Sequence, residues 1–494
     1  MNTRNRRRAL SALFSLAMAT AFALVFFTFN TPVQPTIGSD NAMYLTMGTA
    51  VARGYRPYAD VFDHKGPLLF AMQAIPQWIA GGYSTLAVFV MEVLFLFACL
   101  CVAGKIARRL GAPALLVQLA YLALTCPLAD GGNLTEEYTG LFTLLGLLLA
   151  LSAFGGEARL TGKGLTLHAA GMGAVTALAF MLRANNALPL CAFTLGLAVY
   201  LAGKRAFADL GRCAGGFALG LLLASLPLVL WLAAQGVLGD AFYGAILHNF
   251  MYAETGTESR VDMLLHSSYG HTALMLAALS CLGALALRRR SPALALAMVA
   301  GAAGAGFAGF ISHKFYIHYL MLGTPLAAMG VAALLGAAAR DGKRAYRAGA
   351  AICLLLCVGV TYAGGAQVIA HRNDGYGDYE TFSADAQALY ALVPEEDRDR
   401  FMAYRVEPRW YVATGALPCM RFYFLQEILA QADPAVMDEI VETFETEPPR
   451  WLVIYYNREF SPPYDPRVAE IFEADYEFVA ARGTYQLKRL REML

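Results

Sequence analysis

Charge is what this chain has least of. Asp, Glu, Lys and Arg make up 15% of the 494 residues, where soluble domains carry about 25%. The 38 cations and 37 acids leave a net charge of +1, which excludes a broad basic surface for nucleic acid. With 58% hydrophobic residues, intrinsic disorder is excluded as well. Nine cysteines in this length form no disulfide framework. Eight of them, Cys99, Cys101, Cys126, Cys191, Cys213, Cys281, Cys353 and Cys357, sit in or beside apolar runs without metal-ligand spacing to histidine. They read as buried structural thiols. No P-loop and no glycine-rich dinucleotide turn occurs, so cytosolic nucleotide use has no support. Asp397-Arg398-Asp399 is a literal D-x-D, but its setting in the charged run 394–400 reads as a solvated helix face.

Apolar length is abundant instead, and the mean hydropathy is +0.48. Crossing a hydrocarbon core of about 30 Å takes about 20 apolar residues. Eleven stretches qualify as spans: 9–29, 84–104, 113–129, 138–154, 165–183, 187–203, 213–234, 271–287, 293–311, 317–338 and 347–367. Residues 67–82 are apolar but carry Pro67, Pro76, Gly81 and Gly82, so a short interfacial helix is expected there. The Arg-rich start and long apolar run read as a retained anchor helix rather than a cleaved signal peptide. With the N-terminus inside, 19 cations fall in cytoplasmic segments, including Arg4, Arg6, Arg7, Arg8 and Arg159. Six fall outside: Arg53, Arg56, Lys65, Arg183, Arg260 and Lys314. That bias supports a multi-pass protein of the cell membrane with its C-terminal region outside.

Acids are distributed unevenly. Residues 1–369 hold 14 of the 37, and residues 370–494 hold 23. The expected organisation is a polytopic α-helical membrane domain, 1–369, with a long first outside loop, 30–83. A small α/β extracytoplasmic domain, 370–494, follows. In it, Glu427 to Glu445 reads as an amphipathic helix and Trp451 to Tyr456 as a buried strand.

Residues able to do chemistry gather in the outside segments. Ser39-Asp40-Asn41 looks like a helix start, with Ser39 or Asp40 able to cap; a carboxylate on a rigid helix end also suits a general base. Asp60-Val61-Phe62-Asp63-His64-Lys65-Gly66-Pro67 places acid, imidazole and ammonium before an apolar helix. If this run is helical, Asp60 shares a face with Asp63 or His64. Lys65 is then expected at headgroup level, snorkelling, or ready for a lipid phosphate. Glu136 and Glu137 lie in a tight loop between spans, and Asn133-Leu134-Thr135 is a sequon by pattern. Glu92 sits inside a span, about 12 Å deep at 1.5 Å per residue; it is either functional or bonded to a neighbouring helix. His313, Lys314, Tyr316, His318 and Tyr319 bring two imidazoles, an ammonium and two phenols to one surface. The five-residue spacing of the two histidines disfavours a two-His metal pair.

This order of features resembles the GT-C superfamily of membrane glycosyltransferases, which use polyprenyl-phosphate-linked sugars. The nearer likeness is to the bacterial branch related to protein O-mannosyltransferases and lipid A aminoarabinose transferases. It rests on Asp40 in SDNAMYLTMG, on His64-Lys65-Gly66-Pro67-Leu68 with Gly66 in place of a proline, on an acid in the next outside loop, and on His318-Tyr319 followed by Pro325. It covers roughly residues 1–340. The family has Asp in the second outside loop; this chain offers Glu136 and Glu137.

The resemblance implies inverting transfer of a sugar from a polyprenyl-phosphate donor to an extracytoplasmic glycan, lipid or protein. Asp40 would be the base, and Glu136, Glu137 or Asp63 the second acid. Lys65, His64, Arg183, His313 and Lys314 would bind the donor phosphate, with Tyr316, His318 and Tyr319 lining the substrate. No metal cofactor is expected, although Asp40, Asp63 and Glu136 offer oxygen ligands. A flippase or other transporter of lipid-linked sugars, and an envelope polysaccharide ligase or polymerase, stand as alternatives.

Overall fold

The computed structural model describes residues 3–156, 160–254, 258–456 and 464–491. Arg159, counted above among the cytoplasmic cations, lies outside them, as do the side chains of Arg4, Arg7 and Arg8. Ten helices among the described residues are long and apolar enough to cross a membrane. They are Ala9–Phe26, Thr85–Leu110, Thr135–Phe154, Gly162–Leu182, Ala184–Gly203, Phe207–Ala234, Ser268–Leu287, Pro292–Phe310, Ile317–Asp341 and Arg344–Tyr390. The remaining expected span, 113–129, is the shorter apolar helix Ala114–Leu128. Pro127 explains its form: an α-helix, Ala114–Thr125, gives way to a single 3-10 turn, Cys126–Leu128, where the proline has no N–H for the α-ladder. The last span does not end where the composition changes. Arg344–Tyr390 continues as one 47-residue helix past residue 370.

The chain forms two compact units that alternate along the sequence. The first comprises Met1–Thr31, Phe89–Trp231 and Gly256–His371. Its centre is Ile317–Asp341, buried along its whole apolar window. Small residues let its helices approach closely, as membrane packing requires in the absence of a hydrophobic drive between helices. A Cβ on Gly330 would lie 2.2 Å from the Leu279 carbonyl oxygen, and one on Gly283 would lie 2.2 Å from Gly330 Cα. Helices Ser268–Leu287 and Thr324–Asp341 therefore cross at glycine.

The second unit comprises Pro32–Val88, Leu232–Thr255 and Arg372–Leu494. The expected loop 30–83 contains two helices, Ser39–Ala52 and Pro67–Ala80. They touch at Gly48, where a Cβ would meet the Gln73 carbonyl oxygen at 2.4 Å. The sheet has strands β1 (Phe401–Tyr404), β2 (Trp451–Tyr455), β3 (Tyr476–Arg482) and β4 (Tyr485–Leu490), in the order β1-β2-β4-β3. β1 runs parallel to β2, and the other pairs are antiparallel. The expected helix 427–445 is two helices, Gln426–Ala432 and Ala435–Thr446. Pro434 separates them, because it cannot continue the first ladder. The charged run forms a 3-10 helix, Glu395–Arg400, with no buried residue, in line with the expected solvated helix face of Asp397 and Asp399. Asp397 accepts from Arg450 at 2.6 Å and from the Trp451 indole at 3.0 Å, fastening this helix to β2.

Candidate active site

In the second unit, the helix Ser39–Ala52 begins after Gly38, which is extended and makes no side-chain cap. Neither Ser39 nor Asp40 therefore caps this helix; Asp40 stands in its first turn. Residues Asn41 to Ala50 are buried, which makes the helix a rigid mount, while Asp40 itself is half-buried. Among the described residues, no hydrogen bond or ion pair occupies the Asp40 carboxylate.

The segment 60–66 is not helical, so the shared helix face expected for Asp60 does not form. Asp60 turns to the surface and pairs with Arg56 at 2.8 Å. Asp63 turns inward, and its Oδ1 accepts the Lys65 N–H at 2.7 Å, an Asx turn that aims the following residues. The Tyr58 hydroxyl donates to the Lys65 carbonyl at 2.7 Å. Burial pushes the Tyr58 phenol well above its usual range, with Asp63 adding to it, so Tyr58 stays a donor. Lys65 is buried rather than snorkelling. Its Nζ lies 3.2 Å from His64 Nε2, 3.9 Å from Asp63 Oδ1 and 5.8 Å from the Tyr44 ring centre. An ammonium has only donors, so a charged Lys65 makes His64 Nε2 the acceptor and puts the ring proton on Nδ1.

Residues 243–252 complete this cluster, through a contact between residues 185 apart in the chain. A π-helical turn, Tyr243–Leu247, precedes His248; such turns recur at functional sites. Asn249 Nδ2 donates to the His64 carbonyl at 2.6 Å. The Tyr252 and His248 rings lie 4.8 Å and 6.3 Å from the His64 ring. Asp63, His64 and Lys65 are thus held as one buried group.

The first unit carries a second cluster where residues 130–137, 183 and 314–319 meet. Arg183 Nη1 pairs with Glu136 Oε1 at 3.1 Å, and Nη2 donates to the Tyr319 hydroxyl at 2.9 Å. All three are buried. His318 Nδ1 lies 2.9 Å from Asp130 Oδ2, and its ring stacks on Tyr316 at 5.7 Å. Lys314 is half-buried; burial, then the charge of Arg183, brings its ammonium down to about 8. His313 contacts the Glu258 carbonyl instead, at 2.8 Å. Glu137 is buried close to Glu92. Glu92 accepts from the Asn133 N–H at 2.5 Å and from Asn30 at 3.1 Å, so the intramembrane acid fastens the turn before Glu136. Asn133 is itself buried and accepts from Tyr138 at 2.6 Å. The sequon side chain is therefore not presented for glycosylation.

No family model and no curated protein matches this sequence. Solved structures do resemble it. ArnT from Cupriavidus metallidurans bound to undecaprenyl phosphate matches with a TM-score of 0.63 at 16% identity, over 96% of this chain and 97% of that one. The same protein in the apo state gives 0.61 at 15% identity. The Archaeoglobus fulgidus oligosaccharyltransferase, in complex with Zn and sulfate, gives 0.52 at 12% identity, over 89% of this chain and 68% of that one. These are GT-C membrane proteins. The fold of this chain is the GT-C fold: a bundle of membrane-spanning helices with a small C-terminal sheet.

Proposed function

We propose that this protein is an inverting membrane glycosyltransferase that moves a sugar from a polyprenyl-phosphate donor to an extracytoplasmic acceptor. The observation that carries the reading is the end-to-end likeness to ArnT bound to undecaprenyl phosphate. The two clusters supply chemistry that such a reaction needs. Asp40 takes the proton from the acceptor hydroxyl as it attacks the anomeric carbon. The departing lipid phosphate gains charge; Lys65 in the second unit, or Arg183 and Lys314 in the first, offer the cations that can stabilise it. One base and one displacement invert the anomeric configuration; a double displacement would need a second carboxylate in the role of nucleophile. Glu136, already paired with Arg183, orients that cation.

The test is sugar transfer from a panel of synthetic polyprenyl-phosphate sugars by the purified full chain, with donor binding measured in parallel. Lys65→Ala should weaken donor binding by about 10–100-fold, the worth of one charged hydrogen bond of about 1.5–3 kcal/mol. Absence of donor binding in the wild type would end the transferase reading.

Lys314 adds a pH dependence. Its ammonium titrates near 8, so donor binding at constant donor charge should decline as pH rises through that value. Lys314→Arg should hold the binding flat, because a guanidinium stays charged. The stability term has the opposite sign. Between about 8 and the unfolded lysine value of about 10.4, the unfolded chain binds the extra proton, so this group adds stability as pH rises. A wild-type binding curve that is flat across pH 7–10 would exclude Lys314 from the phosphate site.

A further inference from the structure

The second unit contains a cleft that the proposed mechanism does not use. It encloses about 260 Å³ and is lined by Asp240, Tyr243, Arg421, Phe422, Asp433 and Glu439, among others. Small-molecule sites run from about 300 to 1,000 Å³, so the cleft has room for one compact ring at most.

Arg421 organises the cleft. Its Nη1 pairs with Glu439 at 3.1 Å, its Nη2 with Asp240 at 3.3 Å, and its Nε donates to the Tyr58 carbonyl at 2.8 Å. The guanidinium also lies 5.1 Å from the Phe422 ring centre and 5.4 Å from that of Phe62. It is committed on every side, so it fixes the carboxylates in place and is not available to receive a phosphate. Asp433 is fixed as well: Oδ2 accepts from the Tyr243 hydroxyl at 2.5 Å, and Oδ1 accepts the Ala435 N–H at 3.1 Å.

What remains is rich in acceptors and poor in donors. A carboxylate offers about four lone-pair sites, and Asp240 and Glu439 each keep more than a third of their side-chain surface exposed. Three carboxylates against one guanidinium repel anions. Among the described residues, no three His, Cys, Asp or Glu side chains converge closely enough to hold a metal ion. The cleft therefore suits a ligand that is uncharged, carries several hydroxyl donors and presents an apolar face to Phe422 and Tyr243. A pyranose ring meets all three conditions.

The cleft also backs onto the buried Lys65 group. The Phe62 ring packs 5.0 Å from Phe422 and 5.9 Å from Tyr243, and the Tyr243 hydroxyl lies 3.5 Å from His248 Nδ1. We propose that this cleft is a binding subsite for a neutral sugar residue of the acceptor. That the sugar belongs to the acceptor rests on the transferase reading; that the cleft binds a neutral sugar does not.

Saturation-transfer NMR on the full chain in detergent tests it, with methyl glycosides of glucose, mannose, galactose and N-acetylglucosamine as probes. At least one glycoside should bind, and Glu439→Gln and Asp433→Asn should each weaken it by about tenfold, the loss of one charged hydrogen bond. Lys65→Ala should leave glycoside binding intact. Thermal midpoints matching the wild type establish that both cleft variants fold. No glycoside binding, binding unchanged in both variants, or displacement of the glycoside by millimolar phosphate or Ca²⁺ would each overturn the proposal. Glycoside binding without polyprenyl-phosphate binding would keep the subsite and remove the transferase reading. Donor binding without glycoside binding would do the reverse.

Discussion

Asp40→Asn is expected to reduce sugar transfer by about 10²–10⁴-fold, the usual contribution of a positioned general base, while donor binding stays within about twofold of the wild type. The substitution keeps shape and removes basicity. The mount supports this: Asp40 is followed by ten buried residues of one helix, so the side chain at this position keeps its place when its charge is lost. No ion pair among the described residues competes for the carboxylate, so it is available to a substrate proton. A structural account of Asp40 predicts something much smaller. A first-turn acid gains about 0.3–1 kcal/mol from the helix dipole, and losing that would lower the thermal midpoint slightly and leave turnover alone. The two accounts separate when initial rates and thermal midpoints are measured on the same preparation. Near-wild-type turnover with a small drop in midpoint would reduce Asp40 to a helix-end acid.

How much of this was legible in sequence depended on the range of the interactions involved. The spans were readable because crossing a bilayer imposes a length and a composition on each segment separately. Ala114–Leu128 departed from expectation because one proline acted within an otherwise apolar run. The short helix expected within 67–82 forms as Pro67–Ala80, and the expected strand as Trp451–Tyr455, since both are local patterns. The environment of Lys65 was not. The sequence pattern placed it at the lipid surface, whereas burial came from Tyr44, His64 and the 243–252 segment, nearly 200 residues away in the chain. No periodicity reports such a contact. Glu92 shows the same limit from the other side. The sequence left it either functional or bonded to a neighbouring helix, and its partners, Asn30 and Asn133, make it a fastener for a turn. The carboxylates of the Arg421 cleft left no sequence signal, because Asp240, Asp433 and Glu439 are each ordinary in their own segment.

The second large effect concerns Arg183 and Glu136. Arg183→Ala leaves a buried carboxylate without its cation, and such a removal costs about 3–5 kcal/mol. The Tyr319 hydroxyl also loses its guanidinium donor, and its ring loses a cation at 4.5 Å. Unfolding of the detergent-solubilised protein should therefore begin at markedly lower denaturant or temperature. The double variant Arg183→Met with Glu136→Leu should recover most of that loss, because replacing both members of a buried pair by apolar residues is often close to neutral. Activity should follow a different order. If Arg183 also meets the donor phosphate, the double variant regains stability but not donor binding, and KM rises while the fold persists. If the pair serves only to join residues 135–154 to residue 183, restored stability brings restored binding. A double-mutant cycle with both readouts separates the two roles. Unchanged stability in Arg183→Ala would contradict the weight given to the buried pair and leave Glu136 to Thr135, which donates to its Oε2 at 2.9 Å, and to the nearby His318.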